Sequence, residues 1–295
     1  MWFRAPTAVE ASLLLLSASA CGSQSSPNAT PGPETPTKQI SAKDFDRKNF
    51  GRSTVIDNEW FPLRPGTQLV FKGSAQEEGR RVPHRLVFTV TDLTKVIAGV
   101  RTLVIWDRDY SAGHLVEKEL AFFAQDNGGN VWQLGEHPEA YEDGKLVESP
   151  TWIHRLKGAR AGLSMKADPR PGGPSYSLGW GPAVGFNDRA KVHRVGQRTC
   201  VPFRCYEDVV VVAEFNPDEP GRYQLKYYAR GVGNVRVGWE GAKDTSKETV
   251  ALVTTVRLSP AALAKVREEA LKLEKNAYRI SKDVYGRTSP AKAGA

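Results

Sequence analysis

The chain has little of what catalytic and metal centres are usually built from. It carries three cysteines and five histidines in 295 residues. His84, His114, His137, His154 and His193 never fall within a helical turn of one another, so there is no HExxH pair and no legible zinc or Ser-His site. The nucleophile elbow GxSxG is missing as well, and no catalytic residue is assigned. No apolar run approaches the roughly 20 residues of a transmembrane helix. The net charge is +8 and the pI near 9.3, but Arg80, Arg81, Arg155, Lys157, Arg160, Arg189, Lys191 and Arg194 are scattered. They are not grouped with stacking aromatics, which argues against a nucleic-acid partner. No cofactor is expected.

What is present begins at the N-terminus. Residues 11–20 form a short apolar stretch with Arg4 ahead of it, the length of a signal-peptide core. Small residues then lead to Cys21, and the segment LLLLSASAC (13–21) resembles the lipobox of bacterial lipoproteins. Ala18 stands where such signals usually carry Leu, and Glu10 is a charge at the entrance. The resemblance implies cleavage after residue 20 and acyl chains (palmitate) on Cys21, the expected lipid-attachment residue. Residues 22–38, rich in Ser, Pro, Thr and Gly, lack the apolar surface to offset ordering entropy and read as a disordered tether. Two cysteines then remain, Cys200 and Cys205, and an oxidising envelope compartment favours a disulfide between them.

From Gln68 onward short runs of β-branched and aromatic residues alternate with turn residues. About ten strands in series are expected, with hairpin turns at 127–129 and Asp143-Gly144 and a Gly/Pro-rich middle at 169–182. The one convincing helix is C-terminal: Ser259 caps it, Pro260 opens it and Gly286 terminates it. Its stripe, Leu263, Val266, Ala270, Leu273, Ala277, Ile280 and Val284, fits docking on the sheet ahead of a coiled-coil seam. The fold class expected is mainly β, one antiparallel, strongly curved sheet or half-barrel with a C-terminal α-helix. The domain plan is signal 1–20, acylated cysteine and tether 21–38, β-rich domain 39–258, amphipathic helix 259–286 and disordered tail 287–295.

Candidate chemistry is thin. Asp107, Asp109 and Ser111 open a sequence like a calcium loop, but its glycine is one residue late and Lys118 occupies the twelfth position. A hairpin turn at 110–114 is the simpler reading, and these three are only weak metal candidates. Glu117 and Glu119 share one face of a strand. With Asp107, Asp109 and Asp126 they are the carboxylates that could serve glycoside hydrolysis. Trp106, Trp132, Trp152 and Trp180 are candidate ligand-binding aromatics, if they line one concave face.

Four segments, DNEWFPLRPG (57–66), WDRDYSAGHLVE (106–117), AQDNGGNVWQLGE (124–136) and YYARGVG (227–233), resemble a family of uncharacterised bacterial, often actinobacterial, exported lipoproteins. That resemblance implies export and a lipid anchor and supplies no activity. The β-rich pattern also resembles the half-barrels of lipoprotein carriers, in which a curved sheet holds an acyl chain. The function expected is a membrane-anchored envelope lipoprotein, a non-catalytic module for an apolar, amphiphilic or glycan ligand or a protein partner. The alternatives are an exported hydrolase acting on cell-wall glycan and a structural protein oligomerising through its helix.

Overall fold

Hairpins dictate the architecture. The computed structural model describes residues 41–77 and 79–294; the expected signal, Cys21 and the tether (1–38) lie outside the described residues. Strands β1 (Thr67–Glu77), β2 (Arg80–Ile97), β3 (Val100–Ser111), β4 (His114–Gln125) and β5 (Val131–Glu142) form an antiparallel meander. Three turns use two residues at positive φ: Ala98-Gly99, Ala112-Gly113 and Asp143-Gly144. That geometry matches the right-handed twist of the flanking strands, so each hairpin stays tight. The third leads into β6 (Lys145–Glu148), and β6 and β7 (Trp152–Ile153) both pair with β5.

Next come β8 (Arg160–Met165), β9 (Tyr176–Ser177) and β10 (Gly179–Trp180), then β11 (Arg189–Cys200), β12 (Cys205–Phe215), β13 (Tyr223–Ala229), β14 (Gly233–Glu240) and β15 (Thr249–Arg257). Neighbours run β10-β8-β5-β4-β3-β2-β1-β15-β14-β13-β12-β11-β9. The two ends of that path, β9 and β10, are separated in sequence by Leu178 alone. One short segment therefore bonds to β11 through its first half and to β8 through its second, and bends the sheet into a nearly closed barrel. At two places neighbouring strands approach too closely for a side chain. A Cβ on Gly73 would lie 1.7 Å from the Thr249 carbonyl oxygen, and one on Gly162 would lie 2.0 Å from the Leu178 carbonyl carbon. Only glycine fits either site. The sequence-based expectation of an antiparallel, strongly curved sheet with a C-terminal helix is met, with more closure than a half-barrel.

Because side chains alternate, the register assigns each residue to the inner or the outer face. The segment 57–66 fills one end of the interior. Asn58 Oδ1 accepts from the Trp60 and Phe61 amides, and its Nδ2 donates to the Gly129 and Lys166 carbonyls. So held, the Phe61 ring lies 5.6 Å from Phe123 and 5.8 Å from Tyr228, inner-face residues of β4 and β13.

The outer face of the meander is covered by α1 (Pro260–Ile280), whose N-cap Ser259 accepts from the Ala262 amide. Val266, Ala270, Leu273 and Ala277 are buried against the sheet, so the middle of the apolar stripe is consumed within the chain while Ile280 stays exposed. The helix stops at Ile280, six residues before Gly286, because the chain turns back to place Tyr285 beneath it. The tail expected to be disordered is instead held: β16 (Lys292–Ala293) pairs with β2, and Glu274 accepts from the Ala291 amide.

Cys200 and Cys205 form a disulfide at the tip of the β11–β12 hairpin. The tip folds onto β15, where the Phe203 amide donates to the Leu252 carbonyl. Entropy of so short a loop is worth about 2 kcal/mol. Replacing both cysteines by serine is expected to lower the thermal midpoint by about 4–8 °C, measured by circular dichroism. An unchanged midpoint would show the tip to be held by its packing alone.

Candidate functional site

Cross-strand register concentrates acid on the inner face. On β3 the residues Leu103, Ile105, Asp107, Asp109 and Ser111 alternate onto one side, and Asp107 and Asp109 stand opposite Glu119 and Glu117 of β4. Glu136 of β5 joins them, since it faces Ala121 two residues along from Glu119. Directly opposed side chains on neighbouring strands have Cβ atoms about 5 Å apart, and like charges there are destabilising. Two such pairs are present in succession. The cations of these strands do not relieve them, because Arg108 and Lys118 project to the outer face. There Arg108 stacks 4.1 Å over the Trp106 ring, and Lys118 lies 4.7 Å from that of Tyr141.

The electrostatic consequence is uniform in sign. Burial, then the neighbouring Asp109 charge, pushes the Asp107 carboxyl up to about 6. Burial and the surrounding acids raise Glu117 and Glu119 well above the ordinary carboxylate range. Glu136 is raised chiefly by burial, although the Gln133 side chain donates to it at 2.6 Å. All four are displaced in one direction, toward holding the proton at higher pH than an ordinary carboxyl does.

The cluster extends along the barrel wall through His84 of β2. Its Nε2 lies 3.0 Å from Asp109 Oδ1 and 3.5 Å from Glu248 Oε1. Burial alone would lower the imidazole, but the hydrogen bond and charge of Asp109, helped by Glu248 and Glu77, outweigh it and raise the pKa. Gln224 of β13 follows: its Nε2 donates to Glu248 Oε2 at 2.9 Å, while its buried Oε1 accepts from no donor among the described residues. Beyond it, Lys226 and Glu214 form a 2.7 Å ion pair beside Tyr228 and Tyr176, and the buried Tyr176 hydroxyl has no partner among the described residues. The remaining wall is apolar, formed by Leu69 and Phe71 of β1, Val237 of β14, and Val250 and Leu252 of β15.

Of the residues singled out from sequence, the fold brings Asp107, Asp109, Glu117 and Glu119 together. Asp107, Asp109 and Ser111 share a face, but Ser111 Oγ donates to Glu77, and among the described residues no three acidic, histidine or cysteine side chains converge as metal ligands do. Asp126 lies apart: it accepts from Asn130 and from Trp132 Nε1 at 2.8 Å, and so organises the β4–β5 turn. The four tryptophans are not brought together. Trp106 belongs to the outer face, Trp132 is buried against Phe45, Trp152 stacks on Phe186 at 5.0 Å, and Trp180 is exposed at the end of the closure segment.

No family model and no curated protein matches the chain. Among solved structures, it is similar to a protein from Bacteroides fragilis described as exported with a YmcC-like fold, at 13% identity and a TM-score of 0.40. A protein from Parabacteroides distasonis described as a lipoprotein is similar at 12% identity and a TM-score of 0.36. Each alignment covers 68% of this chain and 99% of the other. Likenesses this weak carry no inference about this chain.

Four members of the site were not singled out from sequence: Glu136, His84, Glu248 and Gln224. Glu136 carried a signal, because it closes the AQDNGGNVWQLGE segment, within β5. His84 joins through the β2–β3 register, opposite Ser111, while Glu248 and Gln224 join through the order β1-β15-β14-β13. Strand order of that kind has no local signature.

Proposed function

We propose that the chain is an exported envelope lipoprotein, anchored through Cys21, whose barrel interior binds an amphiphilic ligand. The observation that carries the binding reading is the inner face itself. Beyond the Phe61 plug, a wall of Leu69, Phe71, Val237, Val250 and Leu252 stands in one sheet with a wall of half-buried and buried carboxylates. A ligand with an apolar tail and a hydrogen-bonding head matches both walls. The anchor rests on the sequence of the N-terminus, and the Cys200–Cys205 disulfide fits an oxidising compartment.

Two experiments test this reading. Native mass spectrometry of the gently purified chain is expected to find a co-purifying amphiphile, displaced when Leu252→Arg is introduced into the apolar wall. A wild-type protein that neither carries nor accepts any amphiphile would overturn the reading. Metabolic labelling with an alkynyl fatty acid is expected to mark wild type and to leave Cys21→Ser unmarked; equal labelling would end the anchor.

A second reading, a hydrolase acting on cell-wall glycan, is favoured by one observation. Asp107, at about 6, stands opposite Glu119, as a general acid stands near its partner carboxylate. Loss of muropeptide release in Asp107→Asn would support it, and equal inactivity of wild type on purified glycan would remove it.

A further inference from the structure

Antiparallel pairing sorts the turns of the barrel between two ends, and the two ends differ in chemistry. One end carries the β2–β3 turn past Ile97, the β4–β5 turn past Gln125 and the β11–β12 tip at Cys200 and Cys205. The paired ends of β1 and β15, at Thr67 and Arg257, lie there as well. The domain begins at this same end. Phe45 packs on Trp132 near the start of β5, the Gly51 amide donates to Asn127 Oδ1 of the β4–β5 turn, and Ser53 Oγ donates to the Arg101 carbonyl. The tether that precedes Ser41 in the sequence therefore joins the domain here.

Four exposed apolar side chains stand at this end, and each has an arginine beside it. Val96, 50% exposed, is opposite Arg101 in the β2–β3 hairpin. Phe203, 42% exposed at the disulfide-held tip, is followed by Arg204, whose guanidinium lies 5.8 Å from its ring. Exposed Val256 precedes Arg257 at the close of β15, and the amide of exposed Val55 donates to the Arg52 carbonyl within one turn. Three acids of this end are already engaged, Glu207 with Arg198, and Glu59 and Asp208 with Arg230. The opposite end does not repeat the pattern. Its exposed Leu146 and Val147 lie in the hairpin 142–148 with Glu142, Asp143 and Glu148, against Lys145 alone.

An apolar side chain flanked by a guanidinium suits the boundary of a bilayer. The apolar tip enters the acyl edge while the arginine stays at the phosphates, which its planar fork of donors fits. A bilayer is also broad and fluid, so separate turns at one end can each meet it without forming one continuous patch.

We propose that this end of the barrel rests on the membrane that holds the anchor, with Val96 and Phe203 in the interfacial layer and Arg101, Arg204 and Arg257 on anionic lipid phosphates. The inference rests on the anchored-lipoprotein reading above. It directs the β3–β4 and β5–β6 turns away from the bilayer.

The test compares amide exchange in the full acylated chain on nanodiscs of phosphatidylcholine alone and of phosphatidylcholine with phosphatidylglycerol. On the anionic discs, residues 96–101 and 200–205 are expected to exchange about tenfold more slowly, with 142–148 unchanged. That protection should fade as salt shortens the Debye length from about 30 Å to about 3 Å. Combining Arg101→Ser, Phe203→Ser and Arg204→Ser, all at exposed positions, is expected to keep the wild-type thermal midpoint and to lose the protection. Leu146→Ser with Val147→Ser is expected to leave it intact. If a chain retained on both kinds of disc shows no protection at 96–101 and 200–205, or equal protection at 142–148, the docking face fails while the anchor stands. The same holds if the triple variant keeps the protection. If soluble polyphosphate protects these turns as fully as the anionic discs do, the partner is an acidic polymer and the membrane assignment fails. A chain retained on neither disc removes the anchor and the docking face together.

Discussion

Between pH 5 and pH 8 the folded domain is expected to lose stability. The sign follows from the direction in which the inner-face groups are displaced. A carboxyl whose folded pKa is raised holds its proton in the native state at a pH where the unfolded chain has released it. Stability is then full below the unfolded pKa and declines as pH rises through the folded one. Asp107, moved from 3.8 to about 6, places its loss in the window between those values, and Glu117, Glu119, Glu136 and Glu248 are displaced in the same direction. His84 adds to the trend. Its raised pKa gives stability that is present below 6.5 and lost as pH climbs through the folded value. On the acid side Glu139 sets the limit. The bonds it receives from His137, Tyr141 and Asn276 overcome burial and hold it at about 2, so its contribution fades only as pH falls below the ordinary glutamate range. A tenfold difference in proton affinity between the folded and unfolded chain is worth about 1.4 kcal/mol. Asp107 alone would therefore cost about 1 kcal/mol between pH 5 and 8, after allowance for water reaching a half-buried group. The thermal midpoint should fall by at least about 3 °C over that range. Asp107→Asn with Glu119→Gln should flatten the profile and unfold higher than wild type at pH 8. A midpoint that rises with pH across this window, or a double variant less stable at pH 8, would show that the pairs are relieved by something other than bound protons.

That inversion also shows which parts of the site could be read from sequence. Glu117 and Glu119 declare a shared face by their spacing, since side chains alternate along a strand. The same rule excludes Trp106 from the face of Asp107, its immediate neighbour, so a carboxylate face lined by that tryptophan conflicts with a pattern visible locally. Asp107 and Asp109 come opposite Glu119 and Glu117 because the hairpin turns on Ala112-Gly113 with a register shift after Asp109. A bulge of one residue decides that register, and composition does not announce it. The helix was legible for an energetic reason: its cap, its proline and its apolar stripe are all local. Its early stop was not, because the cause is Tyr285 meeting Glu274 and Lys95, the latter nearly two hundred residues upstream. Closure of the barrel is the least legible feature. Tyr176–Ser177 and Gly179–Trp180 are two-residue strands inside a Gly/Pro-rich stretch, with too few residues to show any period.

The largest single loss of stability is expected from Glu274→Ala, a residue far from the carboxylate face. Glu274 is buried on α1, where it bonds Lys95 Nζ of β2 at 2.8 Å and accepts from the Tyr285 hydroxyl and the Ala291 amide. Lys95 is 1% exposed, and its ammonium also donates to the Ser289 carbonyl at 2.7 Å and to the Tyr278 hydroxyl, with the Tyr285 ring 4.2 Å away. Burial pulls the Lys95 pKa down and Glu274 holds it partly up, so the pair stands or falls together. Deleting the carboxylate leaves a buried cation without its partner and strands two donors, which costs about 3–5 kcal/mol. For a domain of this size that is a midpoint lowered by about 10 °C. The damage should be local first: exchange of amide hydrogens over 285–293 should accelerate before the barrel strands do, because β16 and the turn at Tyr285 hang on this one residue. Removing both charges separates attraction from packing. Lys95→Met combined with Glu274→Leu takes away the unpaired ion as well as the pair, and hydrophobic replacement of a buried ion pair is often close to neutral. The double variant should therefore recover most of what Glu274→Ala loses, a strongly non-additive result. If it unfolds as low as the single variant, the bonds to the Tyr285 hydroxyl and the Ala291 amide, and not the ion pair, are what fasten the C-terminal segment to the barrel.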